Sequence, residues 1–429
     1  MNMQRLLDLL NTNPQTQLAD LAYTTTARRM HHVFRSAHAV GSTADLAASF
    51  AKSLASFDEP QRTSNAPSIA FTFTGQGSQY PGMGKQLFET CSTFRDSILE
   101  CDGICTRLGL PSLLNMITDT DLDVRTVPPG QVQLALVSLE LALASLWQSW
   151  GLKPDVVIGH SLGEYPALCV AGVLSVSDML FLVGKRAEIM QKQCTENTHA
   201  MLAAQLPVES VRQVLSKGQM PSCEVSCING PSATVVSGKV EDITRLEDQL
   251  RAKSVKVTRL QVHFAFHSSQ LDPILNDFKA VAYNVHFAKP VIPVASTLMS
   301  TLVRDEGIFT ADYLTRQARH PVNFLGALQA CKVDRIIDDQ TLWIDIGPDP
   351  VCLGMVRSTL GIPAATAVPT LKRNEYCWMT ISKSIANAYY RGANIMWSEY
   401  HKEYESALSL LELPSYAFDL KDYWIQYEV

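Results

Sequence analysis

Ser161 is the first residue whose type and surroundings suggest chemistry. It lies in Gly159-His160-Ser161-Leu162-Gly163. Val156 to Ile158 before it read as a short buried strand, and Leu162 to Ala171 after it read as a helix stopped by Gly172. A serine on a sharp strand-to-helix turn, with glycines two positions away on either side, has the form of a nucleophile elbow. The turn exposes the hydroxyl, and the small neighbours let it close. The helix start adds unpaired N–H groups and a positive dipole end where an oxyanion would form. A serine is a weak nucleophile until a base takes its proton. His263-Phe-Ala-Phe-His-Ser268 offers two candidate bases, His263 and His267.

A second chemical stretch is glycine-rich. The strand-like Ser68 to Thr74 runs into Gly75-Gln-Gly-Ser-Gln-Tyr-Pro-Gly-Met-Gly84. A phosphate-binding reading fails on the residues. Gln79 stands where a Walker loop needs glycine, Gln86 replaces the Ser/Thr after Lys85, and Tyr80 breaks the dinucleotide pattern. A tight, backbone-exposed loop can instead present N–H groups to an oxyanion. Ser175-Val-Ser-Asp178 has the form of a helix-opening capping box, and that helix carries Lys185, Arg186 and Met190.

The rest of the chain must position these groups. Its 429 residues are enough for two or three cores. Hydrophobic residues make up 46% and charged ones 18%, which reads as globular. The formal net charge of −6, with both signs mixed, argues against a nucleic-acid partner. Ten scattered cysteines include two C-x3-C pairs, Cys101/Cys105 and Cys223/Cys227. The second pair falls in an alternating strand, where i and i+4 stand too far apart to chelate easily. No metal is expected, and free, mostly buried thiols in a reducing compartment are. Met1-Asn-Met-Gln-Arg-Leu-Leu7 shows no signal-peptide pattern, and no uncharged apolar run is long enough for a membrane helix. The expectation is a cytoplasmic protein with no membrane partner.

Residues 1–66 begin with helix-like Arg5 to Leu10, followed by strand-like Phe34 to Val40 and helical Thr43 to Leu54. His31 and His32, beside two arginines, read as a solvated face, and Phe57 to Pro67 as a linker. Gln133 to Trp150 is apolar all round and so reads as a buried helix. Residues 196–262 read as a separate unit. Strands at Ala200–Leu206, Cys223–Ile228, Ala233–Ser237 and Val255–Val262 alternate with two helical patterns, which is the βαββαβ ferredoxin-like order. Val291 to Ala295 and Leu342 to Ile346 read as later strands, and Ser382 to Tyr390 as a helix.

Phe73-Thr-Gly-Gln-Gly-Ser-Gln-Tyr-Pro-Gly-Met-Gly84, Gly159-His-Ser-Leu-Gly-Glu164, Gly184-Lys-Arg-Ala187 and Phe264-Ala-Phe-His-Ser268 occur in an order that resembles malonyl-CoA:acyl-carrier-protein acyltransferase domains of polyketide synthases, most of all the fungal iterative non-reducing ones. The likeness spans roughly residues 67 to 370. Residues before it resemble a ketosynthase-to-acyltransferase linker. The Leu413-Pro-Ser-Tyr-Ala-Phe418 tail, ending in Tyr423-Trp424, resembles the segment that wraps back after the acyltransferase.

The resemblance implies an α/β fold. A large α/β-hydrolase-like part with a parallel sheet would hold residues 67–195 and 263–374. The small ferredoxin-like part, 196–262, would be inserted in it, with a linker unit at 1–66 and a C-terminal helix and linker at 375–429. It implies a Ser161–His267 dyad and selects His267 over His263. It also implies an oxyanion hole from the backbone N–H groups of Gln76 and Leu162, and a main-chain carbonyl of Gln317 orienting the base. Arg186 would take the malonyl carboxylate, and Phe266, His160, Gln133 and Asn229 would line the pocket. The sequence departs from the family at Phe264, where many bacterial members have histidine, and at Leu134, where a proline is usual. The implied partners are malonyl-CoA, an acyl carrier protein domain and an adjacent ketosynthase, with no cofactor beyond the carrier's phosphopantetheine. An esterase or thioesterase of the α/β-hydrolase kind and a non-catalytic docking module are the alternatives.

Overall fold

A computed structural model describes residues 2–56, 61–62 and 66–417. Most of the linker candidate Phe57–Pro67, and the tail from Phe418 to Trp424, lie outside these residues. Strand Ile69–Phe73 is flanked in parallel by Val156–Gly159 and Leu342–Ile346. Val294–Ser296 and then Thr301–Val303 extend this sheet on one side, the last antiparallel, and Ala367–Pro369 extends it on the other. The three central strands are buried along their whole length, as a sheet covered on both faces requires.

Alternate side chains serve the two faces. Phe71, Phe73, Val157, Leu342 and Ile344 pack with helix Pro129–Ser149. Ala70, Val156, Ile158 and Trp343 pack with Phe324, Leu328 and Val356. By length and composition Pro129–Ser149 could cross a membrane, but 89% of its apolar stretch is buried within the protein. It starts earlier than the apolar pattern suggests because Pro129, with no N–H to satisfy, suits the first helical turn.

The second sheet runs Glu224–Gly230, Ala233–Lys239, His199–Ala204, Val257–Arg259, all antiparallel. Helices Val208–Lys217 and Val240–Ala252 cover one face through Leu202, Val211, Val236, Ile243 and Leu246. This is the split βαββαβ order. A fifth, two-residue strand, Val322–Asn323, joins it in parallel from far along the chain. Sequence patterning misses a strand this short.

Several elements are shorter than their patterns suggest. Val291–Ala295 pairs only from Val294, because Pro293 lacks the N–H a ladder needs. Val255–Val262 is strand only over Val257–Arg259, and Phe34–Val40 only over Phe34–Arg35. The helix after Ser161 opens with a 3-10 turn, Ser161–Gly163, before the α-helix Glu164–Val170.

Helices Asn2–Thr12, Leu18–Ala27 and Thr43–Ala55 form a small unit around Leu10, Leu21, Leu46 and Phe50, with Leu411 and Leu413 of the returning tail packed on it. Arg29 donates to the carbonyls of Leu413 and Pro414, and Arg5 to that of Ser415. His31 does not lie on a solvated face. Its ring bonds Tyr389 Oη at 2.6 Å and the Thr26 carbonyl at 2.7 Å, and stacks on Trp397. Of the arginines beside it, Arg29 holds the tail, while Arg28 pairs with Glu405 at the exposed surface.

Candidate active site

The carboxyl ends of Ile69–Phe73 and Val156–Gly159 are level, with Phe73 opposite Gly159. The glycine-rich loop leaves one strand and the serine turn leaves the other, so the two meet at a crevice above the sheet. Their glycines are needed. A Cβ on Gly159 would lie 2.3 Å from the Glu164 backbone, and one on Gly163 would lie 2.4 Å from the Phe73 carbonyl oxygen. One on Gly75 would sit 2.8 Å from the His160 carbonyl. Ser161 itself has φ 55°, a left-handed backbone a serine adopts only under constraint.

Ser161 Oγ lies 2.7 Å from His267 Nε2. His267 Nδ1 faces two main-chain carbonyls, Gln317 O and His320 O, each at 3.0 Å. Two acceptors on one nitrogen require Nδ1 to carry the hydrogen. Nε2 is then left with its lone pair toward the serine hydroxyl, which is the tautomer a general base needs. Both carbonyls belong to the end of helix Ala311–Arg319, whose last turn carries unpaired carbonyls and the negative end of the dipole. A helix C-terminus therefore stands where a triad would have a carboxylate. The family resemblance implies the Gln317 carbonyl, which is one of the two. The second acceptor, the His320 carbonyl, has no side-chain signature and went unseen.

His267 is 4% exposed. Burial, then the neighbouring His160 and the positive Arg186, bring its pKa down to about 3, so the free imidazole is neutral throughout the physiological range. His263, the rival base, is half-exposed and 3.6 Å from Glu196. The Gln317 side chain returns to the serine turn, donating to Ser161 O at 2.9 Å.

Arg186 is 6% exposed on helix Val176–Gln193. Its guanidinium lies over the Tyr165 ring at 5.0 Å and donates to Tyr165 Oη at 3.4 Å and Gln133 Oε1 at 3.2 Å. Among the described residues no carboxylate pairs with it, and its Nε has no partner. Gln133 also donates to Gln76 Oε1 at 3.2 Å, tying the arginine to the glycine-rich loop. Among the described residues no protein acceptor takes the backbone N–H of Gln76 or of Leu162, so both remain available to an incoming oxygen.

His160 Nε2 lies 2.8 Å from Asn229 Oδ1, joining the serine turn to the small sheet. Phe266 is half-buried beside Met190, one helical turn beyond Arg186, and beside Cys227 and Val235 of the small sheet. The ten predicted residues therefore fall in one region, where the serine turn and the glycine-rich loop meet the small sheet. A cavity of about 320 Å³ lies elsewhere, lined by Leu21, His38, Phe50, Ile385, Trp397 and His401. All ten cysteines are free, and among the described residues no cluster of His, Cys, Asp or Glu could hold a metal.

A neutral imidazole aimed at a strained serine, two open N–H groups and a buried, unpaired cation suit acyl transfer of a group that carries its own anion. The family comparison agrees with acyl transfer. The acyl transferase domain family model matches residues 70–394, and the chain belongs to this family. A model for a CurL-like polyketide synthase C-terminal segment matches residues 1–50. The non-reducing polyketide synthase crz7 of Cladonia metacorallifera is 60% identical over 100% of this chain, which spans 20% of that protein's length. The structure of the acyl transferase domain of ZmaA is 26% identical with a TM-score of 0.83, covering 96% of this chain and 95% of that one. FabD of Acinetobacter baumannii is 26% identical with a TM-score of 0.65, covering 76% of this chain and 98% of its own.

Proposed function

We propose that this chain moves a malonyl group from malonyl-CoA, through an ester on Ser161, to the phosphopantetheine thiol of an acyl carrier domain. Residues 1–66 and 375–429 are taken as flanking linker parts, 67–195 and 263–374 as the large acyltransferase part, and 196–262 as the inserted small one. The proposed setting is a longer synthase in which a ketosynthase uses the loaded unit.

The proposed steps start from the Ser161–His267 contact. Ser161 Oγ attacks the thioester carbon as His267 Nε2 takes its proton. The oxyanion sits between the Gln76 and Leu162 N–H groups. The helix end behind Nδ1 stabilises the imidazolium. Collapse expels the coenzyme A thiolate, which takes the proton from His267. The carrier thiol then attacks the ester and the same steps run back, releasing Ser161. The malonyl carboxylate pairs with Arg186, and Phe266 limits the bulk allowed beside it. That pairing also offsets one of the positive charges holding His267 down, so the correct substrate strengthens its own base. Every step is carried by side chains and main chain, with no metal or redox cofactor.

The single observation that carries the reading is the Ser161–His267 pair near a buried arginine with which no acid among the described residues pairs. An esterase triad would use a late histidine. The last one, His401, instead bonds Thr26 Oγ1 at 2.8 Å, in the unit formed with the first helices. The test measures coenzyme A release from malonyl-CoA with and without a phosphopantetheinylated carrier domain. Release beyond one equivalent per enzyme that depends on the carrier, with malonyl on its thiol, is expected. Equal release with malonate as the product would mean hydrolysis and would overturn the transferase reading.

A further inference from the structure

Glu164, three residues past the nucleophile, takes no part in the steps above, yet it is 1% exposed. A carboxyl so deeply buried is retained at a cost unless its oxygens are served. Both are. Tyr313 Oη donates to Oε1, and Thr297 Oγ1 donates to Oε2 at 3.0 Å. Tyr313 is tied in turn to Ser296 Oγ at 2.7 Å. Tyr313 stands in the first turn of helix Ala311–Arg319, and Ser296 ends the neighbouring strand. One turn further along the same helix, Gln317 sends its side chain to Ser161 O and its carbonyl to His267 Nδ1.

These bonds form a closed path. It runs from the serine turn through Glu164 to Tyr313, along the helix to Gln317, and back to both Ser161 and His267. We propose that Glu164 is a positioning residue for the base: by gripping Tyr313 it fixes the helix whose last carbonyls hold the His267 imidazole against Ser161. This rests on the Ser161–His267 reading above.

The geometry also says which form of Glu164 does this. Two hydroxyl donors aimed at its two oxygens match a carboxylate better than a carboxylic acid. Burial opposes that charge, while Tyr313, Thr297 and Gln317 favour it, and the balance leaves the pKa at about 7. The other titratable neighbours are Tyr165, on Glu164's own helix and in contact with Arg186, and Arg316, which acts on Tyr313. Because the pKa is raised, the grip is half formed at about pH 7, strengthens above it and is lost as Glu164 takes up a proton below it.

The experiment compares the wild type, Glu164→Gln and Tyr313→Phe, with circular dichroism as the folding check. Acylation of Ser161 by malonyl-CoA is followed by rapid-quench mass spectrometry from pH 5.5 to 9. The expected result is a kcat for acylation lowered about tenfold or more in both variants, with KM for malonyl-CoA within about twofold, since the substrate carboxylate is bound elsewhere. The wild-type rate should rise through an inflection near pH 7 that Glu164→Gln lacks. Tyr313→Phe keeps the ring and its packing, so it tests the bond even if Glu164→Gln does not fold. His267→Ala is the control. If wild type acylates, His267→Ala does not, and both variants match the wild-type kcat and pH profile, the positioning role is wrong and the dyad stands. If the wild type forms no ester, both readings fall.

Discussion

Replacing Arg186 by alanine should change which donor is used rather than merely weaken the site. The guanidinium is nearly inaccessible and is held by one weak bond to Tyr165, one bond to Gln133 and a stacking contact. A malonyl carboxylate arriving there would replace these with paired, charge-assisted bonds worth roughly 1.5–3 kcal/mol each. A contact at about 4 Å and an effective dielectric near 20 gives a similar Coulomb figure, about 4 kcal/mol. Desolvating the carboxylate takes part of this back, leaving about 3 kcal/mol, or roughly a hundredfold in kcat/KM. Acetyl-CoA would gain instead, because it would no longer leave a buried cation unpaired. Steady-state kcat/KM for malonyl-CoA and acetyl-CoA, measured on wild type and Arg186→Ala, gives the ratio directly. The ratio should fall by about two orders of magnitude or more. If both donors lose rate in the same proportion, Arg186 supports the fold and does not read the carboxylate.

Further outcomes follow from other contacts. Gly163→Ala would drive a Cβ to 2.4 Å from the Phe73 and Thr74 carbonyl oxygens. It should cost about 3 kcal/mol in denaturant unfolding, and an unchanged midpoint would contradict the packing of the serine turn. Arg373 lies over the Tyr80 ring at 4.9 Å and donates to the Gln79 carbonyl at 2.8 Å. Arg373→Ala should therefore loosen the glycine-rich loop and lower kcat roughly tenfold while the melting temperature changes little. His401 is held neutral by burial, its pKa down at about 4 against 6.5 when unfolded. The unfolded chain then takes the proton first, so stability is full above pH 6.5 and is lost as pH falls toward 4. His401→Gln should flatten the fall of melting temperature across that window, and an equally steep fall would assign it to other groups.

The serine turn was legible because its chemistry and its chain geometry share five consecutive residues. The central strands were legible because burial on both faces forces continuous apolar runs. Arg186 and His267 carried side-chain signals, but their distance from Ser161 depends on how a helix and a loop far along the chain pack against the serine turn, which no local pattern encodes. The His320 carbonyl was invisible because any residue supplies one. Strand Val322–Asn323 was missed because two residues show no period. Glu164 read only as the end of a motif, since its role depends on Tyr313, far along the chain. His31 was misread because its partners, Tyr389 and Trp397, come from the opposite end of the sequence.

Intact-protein mass spectrometry after brief mixing with malonyl-CoA tests the central claim most directly. The account predicts that wild type gains one malonyl group, that the group maps to Ser161, and that Ser161→Ala gains none. A malonyl adduct that persists in Ser161→Ala, or a folded wild type that never acquires one, would contradict it.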